Sequence, residues 1–253
     1  MKNTSGNTIL ITGSSAGIGF EMAKLLSAKG NHIIMTGRDK ERLMKAASGL
    51  TNITAIQCDI RKEKDMDELV ARIEKEFPQM NILINNAGRA IAYPLLEEGI
   101  NAYEKAKDEM QTNYFAVIRL IEKLLPQLKK QPESAIVNVS SVVAFVPGRI
   151  ATYSATKAAL HNYTQSLRMQ LAEVTDNVKV FELMPPLVNT ELSKDIGGAN
   201  GIHPSVVAEA LWQGLENDTY EIHAGMTADF YKLYLSSPEA ALQKMFASRA
   251  PIK

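Results

Sequence analysis

The chain contains one cysteine, Cys58, so no disulfide can form within it, which fits a reducing compartment. It has no excess of either charge: 28 Lys and Arg stand against 28 Asp and Glu. A nucleic-acid binder would show a basic face in that balance, so no nucleic-acid partner is expected. Long apolar runs are missing too. No window approaches the roughly 20 apolar residues of a membrane span. The run Ile9 to Ile11, after a polar start, is too short for a secretory leader. The expected location is cytoplasmic, with no membrane partner. Histidine is sparse: His32, His161, His203 and His223 lie far apart with no ligand spacing, so no metal is expected. No charge block or low-complexity stretch reads as a linker. The 253 residues are therefore expected to form a single domain over 1–253, long enough to bury about 70–75% of the unfolded surface.

What is present is an alternation of short apolar runs and longer amphipathic ones. The runs Thr8–Thr12, His32–Thr36, Ile53–Cys58, Ile82–Asn85, Ala135–Ser140, Val178–Met184 and Tyr220–His223 are rich in Ile and Val and do not alternate cleanly. Strands buried on both faces look like this. Between them, Met66, Leu69, Val70, Ile73 and Phe77 fall on one helical face within Asp65–Phe77. Tyr103–Lys129, Thr152–Val174 and Ser205–Glu216 are further helical patterns, the last following Pro204. Repeated strand–helix units predict an α/β fold: a doubly wound parallel sheet of about seven strands with helices on both faces. Such sheets bind ligands beyond the carboxyl ends of their strands.

Those strand ends are where the unusual residues gather. The first strand runs into Thr12-Gly13-Ser14-Ser15-Ala16-Gly17-Ile18-Gly19. Gly13 can make a tight turn, and Gly17 and Gly19 carry no Cβ, so backbone can approach a pyrophosphate at the helix N-terminus. The spacing departs from the general G-x-G-x-x-G fingerprint, and an ordinary Gly-rich turn is the plain alternative. The second strand ends Thr36-Gly37-Arg38-Asp39. An acid at this tip commonly holds the ribose 2′-hydroxyl of NAD. Here Arg38 can pair with a 2′-phosphate instead, so NADP rather than NAD is the expected cofactor. A surface arginine held by Asp39 or Glu41 is the alternative. In Cys58-Asp59-Ile60, Asp59 can accept from an adenine amino group or cap the next helix. In Asn85-Asn86-Ala87-Gly88, the Asn side chains can tie strand ends together and Gly88 permits close approach to a ribose. A bare turn is the alternative.

After the fifth strand come Ser140 and Ser141, then Tyr153, then Lys157 four residues on. Positions i and i+4 share a helix face. Reducing a carbonyl by hydride leaves an alkoxide that needs a proton. A tyrosine near pKa 10 is a poor proton donor at neutral pH, and a neighbouring ammonium stabilises its phenolate. A serine hydroxyl can hold the substrate oxygen as charge develops on it. The sixth strand leaves through Pro185-Pro186-Leu187-Val188-Asn189-Thr190, where two prolines fix an extended exit. That exit reads as a wall for nicotinamide or as a rigid surface loop.

Together these residues resemble the short-chain dehydrogenase/reductase family, from Thr8 to about Gly225. Thr12–Gly19 is similar to its T-G-x-x-x-G-I-G turn, Asn85–Gly88 to its N-N-A-G segment, and Tyr153 with Lys157 to its Y-x-x-x-K pair. The resemblance implies a Rossmann fold and a catalytic set of Ser141, Tyr153, Lys157 and Asn113, with Asn113 supporting a proton relay through Lys157. It implies cofactor contacts from Gly13, Ser15, Gly17, Ile18 and Gly19 in the first turn and from Arg38, Asp59 and Ile60. Asn86, Ala87, Gly88, Tyr153, Lys157, Pro185, Val188 and Thr190 complete that set. The serine spacing is one residue short: counting back thirteen from Tyr153 reaches Ser140. The deletion is placed in the loop, which keeps Ser141. Pro186 stands where the family commonly has Gly. More narrowly, Leu183–Val188 and Ala144–Pro147 resemble the DltE-type subgroup of bacterial oxidoreductases.

The expected activity is an NADP-dependent oxidoreductase acting on a small-molecule carbonyl or alcohol. A binding protein that senses a dinucleotide without turnover is the contrasting class, though it need not keep Ser, Tyr and Lys. An isomerase or dehydratase on this scaffold would usually carry a larger region after Pro186. Ile91–Asn101 and a glycine-bearing lid over about 190–204 are expected to border the pocket, the glycines giving mobility. Met226, Phe230, Tyr231 and Tyr234 read as core or subunit interface. A homodimer or homotetramer is expected on the two long helical patterns.

Overall fold

The computed structural model describes residues 1–247; the final residues of the expected 1–253 domain, 248–253, lie outside the described residues. Seven strands form one parallel sheet: β1 (Thr8–Ile11), β2 (His32–Gly37), β3 (Ile53–Gln57), β4 (Ile82–Asn85), β5 (Ser134–Val139), β6 (Val178–Met184) and β7 (Glu221–His223), in the order β3-β2-β1-β4-β5-β6-β7. The chain winds outward from β1 to β3, returns, and continues from β4 on the other side. The switch point therefore lies between β1 and β4, where such folds open a crevice.

Helices cover both faces, as expected. One face carries α1 (Gly17–Ala28), α2 (Lys40–Ala47) and α7 (Pro204–Glu216), whose Met22, Leu26, Leu43, Leu211 and Trp212 pack on Ile9, Ile11, Ile33 and Phe181. The other carries α3 (Glu63–Glu76), α5 (Ala116–Leu128) and α6 (Ala151–Ala172), packed on Leu10, Ile34, Leu83, Ile136 and Val180. Alternate residues of each strand thus enter opposite layers, which is why the strands read as continuous apolar runs. After β7, α8 (Thr227–Ser236) and α9 (Pro238–Ala247) close over the short turn Val142–Ala144. Phe230, Tyr231 and Tyr234 join that small core, Phe145 meeting the two tyrosine rings at 5.1 and 5.8 Å; Met226 is exposed and takes no part. No helix among the described residues is long and apolar enough to cross a membrane.

Two expectations on element bounds are corrected. Strands β1, β3 and β5 stop one residue early, at Ile11, Gln57 and Val139. At two of these ends the next side chain turns to local hydrogen bonds: Thr12 Oγ1 accepts from the backbone of Asn86 and Ala87, and Ser140 Oγ donates to Glu182. The pattern Tyr103–Lys129 is not one uniform helix. It runs as α4 (Ala102–Met110), a π-helical turn over Gln111–Phe115, and α5. Asn113 sits within that wider turn, a type of irregularity that often marks functional sites.

Beneath α6 the sheet carries a polar seam. Asn85, Asn138, Glu182 and Glu221 are register partners on β4, β5, β6 and β7, so their side chains share one face. Asn85 donates to Asn138 (2.9 Å), and Asn138 donates to Thr164 of α6 (2.9 Å). Glu182 meets His161 of α6, and Glu221 accepts from Gln165 (3.1 Å) and Arg168 (3.3 Å) of the same helix.

Candidate active site

The β1–α1 turn is built as a cradle with free donors. Ala16 precedes α1 in extended conformation, no side chain caps the helix, and its first turn holds no acid. By contrast α2 and α4 are capped by Asp39 and Asn101. An uncapped N-terminus reached through Gly13, Ser15 and Gly17, with Gly17 at φ +57°, presents backbone N–H groups to an anion. Ile18 lines the adjoining cleft. Gly19 departs from the expectation that its missing Cβ serves a ligand. A Cβ there would lie 2.4 Å from Asn86 Nδ2 and 2.6 Å from Gly13 O, so the protein itself fills that space. Asn86 Nδ2 donates to Thr12 O (2.9 Å) and Gly13 O (3.1 Å), tying the exit of β4 to that of β1.

At the end of β2, Arg38 is exposed and has no salt bridge among the described residues. Asp39 instead caps α2 by accepting from Arg42 N (3.0 Å), and Arg42 pairs with Glu191 across the turn that follows β6. Ser15 Oγ lies against Gly37: a Cβ at Gly37 would be 3.3 Å from it. Asp59 is not the cap of α3, which Lys62 precedes without a side-chain bond. Its two carboxylate oxygens hold Arg61 (3.0 and 2.7 Å), and that guanidinium keeps the acid below its usual range. Arg61 reaches on to Asp108 of α4, which also pairs with Arg89. Ile60 is buried beside Cys58, whose thiol burial pushes up to about 12. Ala87 and Gly88 follow Asn86 at the end of β4, with Gly88 beside Asn113 and Lys157: a Cβ there would be 3.7 Å from Asn113 Oδ1 and 4.0 Å from Lys157 Nζ.

A cleft opens beyond β5 and β6. Ser141 and Tyr153 line it together with Pro185, Pro186, Val188 and Thr190 from the exit of β6, so that exit is a cleft wall rather than a free surface loop. Among the described residues no charged side chain lines the cleft, and Val142, Val143, Ile150, Leu187, Leu192 and Ile196 make it largely apolar. The two serines face different ways. Ser141 borders the cleft and accepts from Val143 N (3.3 Å), while Ser140 points to Glu182. Lys157 is buried beneath, donating to Val139 O (2.8 Å) with Nζ 5.6 Å from the centre of the Tyr153 ring. Burial pushes its ammonium down to about 8, against the pull of Glu182. Asn113 is 1% exposed; its amide donates to Arg89 O (2.8 Å) and Thr156 Oγ1 (2.9 Å), and its oxygen accepts from Arg89 N (2.8 Å). It therefore clamps the β4 exit to the turn of α6 that bears Lys157.

Of the two expected borders, the segment 190–204 supplies Thr190, Leu192, Ser193 and Ile196, whereas no residue of Ile91–Asn101 lines the cleft; Ala90, just outside that segment, does. Gly198 and Gly201 of the lid have a packing reason, while Gly197 holds a left-handed backbone at φ +82°. A Cβ at Gly198 would meet Ser193 Oγ at 2.3 Å, and one at Gly201 would meet Leu187 O at 2.7 Å. Residues not expected at the site are Glu182, wholly buried behind Ser140, and Glu109, wholly buried with one oxygen accepting from Ile91 N (2.8 Å). The signal for the first was there: an acid inside an otherwise apolar strand must find partners.

Comparison with known proteins agrees with this geometry. A family model described as short chain dehydrogenase matches residues 7–201. A Bacillus subtilis (strain 168) relative, the uncharacterized oxidoreductase DltE, is 40% identical over 230 residues, covering 88% of this chain and 89% of its own. A short-chain dehydrogenase from Burkholderia cenocepacia J2315, solved in complex with NADP, superposes with a TM-score of 0.83 at 26% identity, covering 96% and 98% of the two chains. A Burkholderia phymatum short-chain dehydrogenase/reductase in complex with NAD reaches the same TM-score at 19% identity over 95% and 96%, a likeness of fold alone.

Proposed function

The chain belongs to the short-chain dehydrogenase family, and from that premise we propose that it is an NADP-dependent oxidoreductase acting on the carbonyl or alcohol of an apolar small molecule. The observation that carries this reading is the cleft that Ser141 and Tyr153 share, with Lys157 buried beneath them. The uncapped α1 N-terminus fits a diphosphate, and Arg38 with Ser15 beside Gly37 fits a 2′-phosphate. Pro185, Val188 and Thr190 would border the nicotinamide. When bound, the dinucleotide supplies or accepts the hydride.

The chain's own residues then manage the oxygen and its proton. Ser141 donates a hydrogen bond to the carbonyl oxygen and holds it as negative charge develops. Tyr153 transfers its phenolic proton to that oxygen, completing the alcohol; in the reverse direction it takes the proton back. The Lys157 ammonium stabilises the phenolate left behind. Asn113, whose amide is committed to Arg89 and Thr156, positions the lysine side of the relay rather than touching substrate. The apolar lining that the described residues give the cleft favours apolar aldehydes and ketones over acids or phosphate esters. The reading keeps cofactor and substrate in one domain over 1–253 and includes a homodimer or homotetramer, for which exposed Phe115 at the start of α5 and Met169 on α6 offer apolar contact.

The test is NADPH oxidation with a panel of apolar and charged carbonyls, for the parent protein and Tyr153→Phe. The parent turns over apolar carbonyls. The variant loses turnover by about 100-fold or more while binding NADPH as before. Turnover that survives in Tyr153→Phe overturns the proton-donor assignment. NADPH binding without turnover of any carbonyl in the parent points to the dinucleotide-sensing alternative.

A further inference from the structure

Three consecutive residues at the end of β5 are each committed elsewhere. Val139 O accepts from Lys157, Ser140 Oγ donates to Glu182, and Ser141 borders the cleft. Glu182 is 0% exposed, and its carboxylate also meets His161 Nδ1 at 2.8 and 3.0 Å. His161 lies one turn beyond Lys157 on α6. The contacts close into a ring: Lys157 to Val139, along the chain to Ser140, across to Glu182, to His161, and back through one turn of helix to Lys157. A buried carboxylate is costly unless paired and hydrogen-bonded, so its presence one step behind the site calls for a reason.

We propose that Glu182 is a positioning residue of the reaction: held by Ser140 and His161, it fixes the Val139–Ser141 exit and provides the counter-charge that keeps the buried Lys157 ammonium. This inference rests on the oxidoreductase reading above. The other charged or titratable groups that face Glu182 do not replace it. On β7, Glu221 is its register partner but is engaged by Gln165 and Arg168 of α6, and His223, two residues further, turns its ring to Tyr231, the two tilted at 52° with centres 4.7 Å apart. On β5, Asn138 is bound to Thr164. Of the charges near Lys157, Glu182 is the one that raises its affinity for a proton, against the burial that lowers it. The same carboxylate raises the His161 affinity for a proton through their hydrogen bond.

The experiment uses the full chain carrying isotope-labelled lysine, with Lys157→Met to assign the signal, and compares Glu182→Gln and Glu182→Asp with the parent. Gln keeps size and hydrogen bonding and removes the charge; Asp keeps the charge on a shorter arm. NMR reads the Lys157 titration in ligand-free protein, and kcat/KM against pH is measured in parallel with NADPH and an apolar aldehyde. The expected result is a Lys157 midpoint about one pH unit lower or more in Glu182→Gln, as loss of a nearby opposite charge gives, and close to the parent in Glu182→Asp. The alkaline limb of kcat/KM moves with it. An unmoved midpoint in Glu182→Gln overturns the proposal, whatever happens to kcat. If Glu182→Gln does not fold, Glu182→Asp alone decides: a midpoint that falls although the charge is kept also overturns it. Should the parent reduce no carbonyl, the oxidoreductase reading fails on its own, while the ligand-free titration still reports on Glu182.

Discussion

Replacing Gly19 by Ala sets two effects of opposite sign against each other. Gly19 lies in the first turns of α1, and Ala in place of Gly within a helix gains at most about 1 kcal/mol. Against this, the new Cβ would lie 2.4 Å from Asn86 Nδ2, 2.6 Å from Gly13 O and 2.9 Å from Ser14 Cα. Two of these are backbone atoms and cannot turn aside. The Asn86 amide must move, losing its bonds to Thr12 O and Gly13 O, at about 1 kcal/mol each. Overpacking adds roughly 1–3 kcal/mol. The loss exceeds the gain, leaving Gly19→Ala less stable by about 2–4 kcal/mol. For a chain of this size that lowers Tm by roughly 4–16 °C. Urea denaturation measures the first quantity and thermal melting the second. Because the same shift distorts the cradle between β1 and α1, a fluorescence titration with NADPH should show affinity at least about tenfold weaker. A variant as stable as the parent, or more stable by the helix-propensity gain, would refute the assignment of that space to Asn86.

Arg38→Ala removes the candidate partner of the 2′-phosphate. A charge-assisted hydrogen bond of about 1.5–3 kcal/mol predicts a roughly ten- to hundredfold rise in Kd for NADPH and little change for NADH. Equal weakening of both by titration would end the case for NADP. Relative to the parent, Lys157→Met should be most favoured at pH 7 and lose ground as pH rises, because burial lowers the folded-state lysine to about 8 while an unfolded lysine titrates near 10.5. The cost of burying the ammonium, on the order of 3 kcal/mol, is complete below pH 8 and relieved as pH climbs from 8 to 10.5, since there the folded state has released a proton the unfolded state still holds. Denaturant titrations at pH 7 and pH 10 test this: a stability of the variant relative to the parent that stays level or rises toward pH 10 contradicts it.

The strands were legible because Ile- and Val-rich runs buried on both faces have little alternative, and β4 and β6 end at the expected Asn85 and Met184. Arg38 and Ser141 could be picked out as candidates because each follows a strand end, and Tyr153 with Lys157 because their four-residue spacing puts them on one helix face. The π-helical turn around Asn113 was not legible, since Tyr103–Lys129 keeps a helical apolar pattern through it and one extra residue in a turn leaves no mark in composition. Glycines at 198 and 201 read as hinges by residue type, but their meaning depends on Ser193 and Leu187, whose approach is tertiary. Glu182 and His161 lie 21 positions apart and meet only when α6 docks on β6.

The polar seam beneath α6 acts on that helix like a row of pegs. Thr164 engages β5, His161 β6, and Arg168 both β6 and β7, so a slide of one turn along the sheet would strip the Glu182 and Glu221 carboxylates of their α6 partners at once. Helix and sheet are thereby locked in one register by groups outside the cleft. The apolar lining, by contrast, sits on short connections: Val142 and Val143 after β5, Ile150 before α6, Leu192 and Ile196 after β6. Substitutions on those connections can reshape the cleft while the spacing between the Tyr153–Lys157 pair and the end of β5 stays fixed. One protein of this build can therefore exchange the molecules it accommodates without rebuilding the part that moves protons.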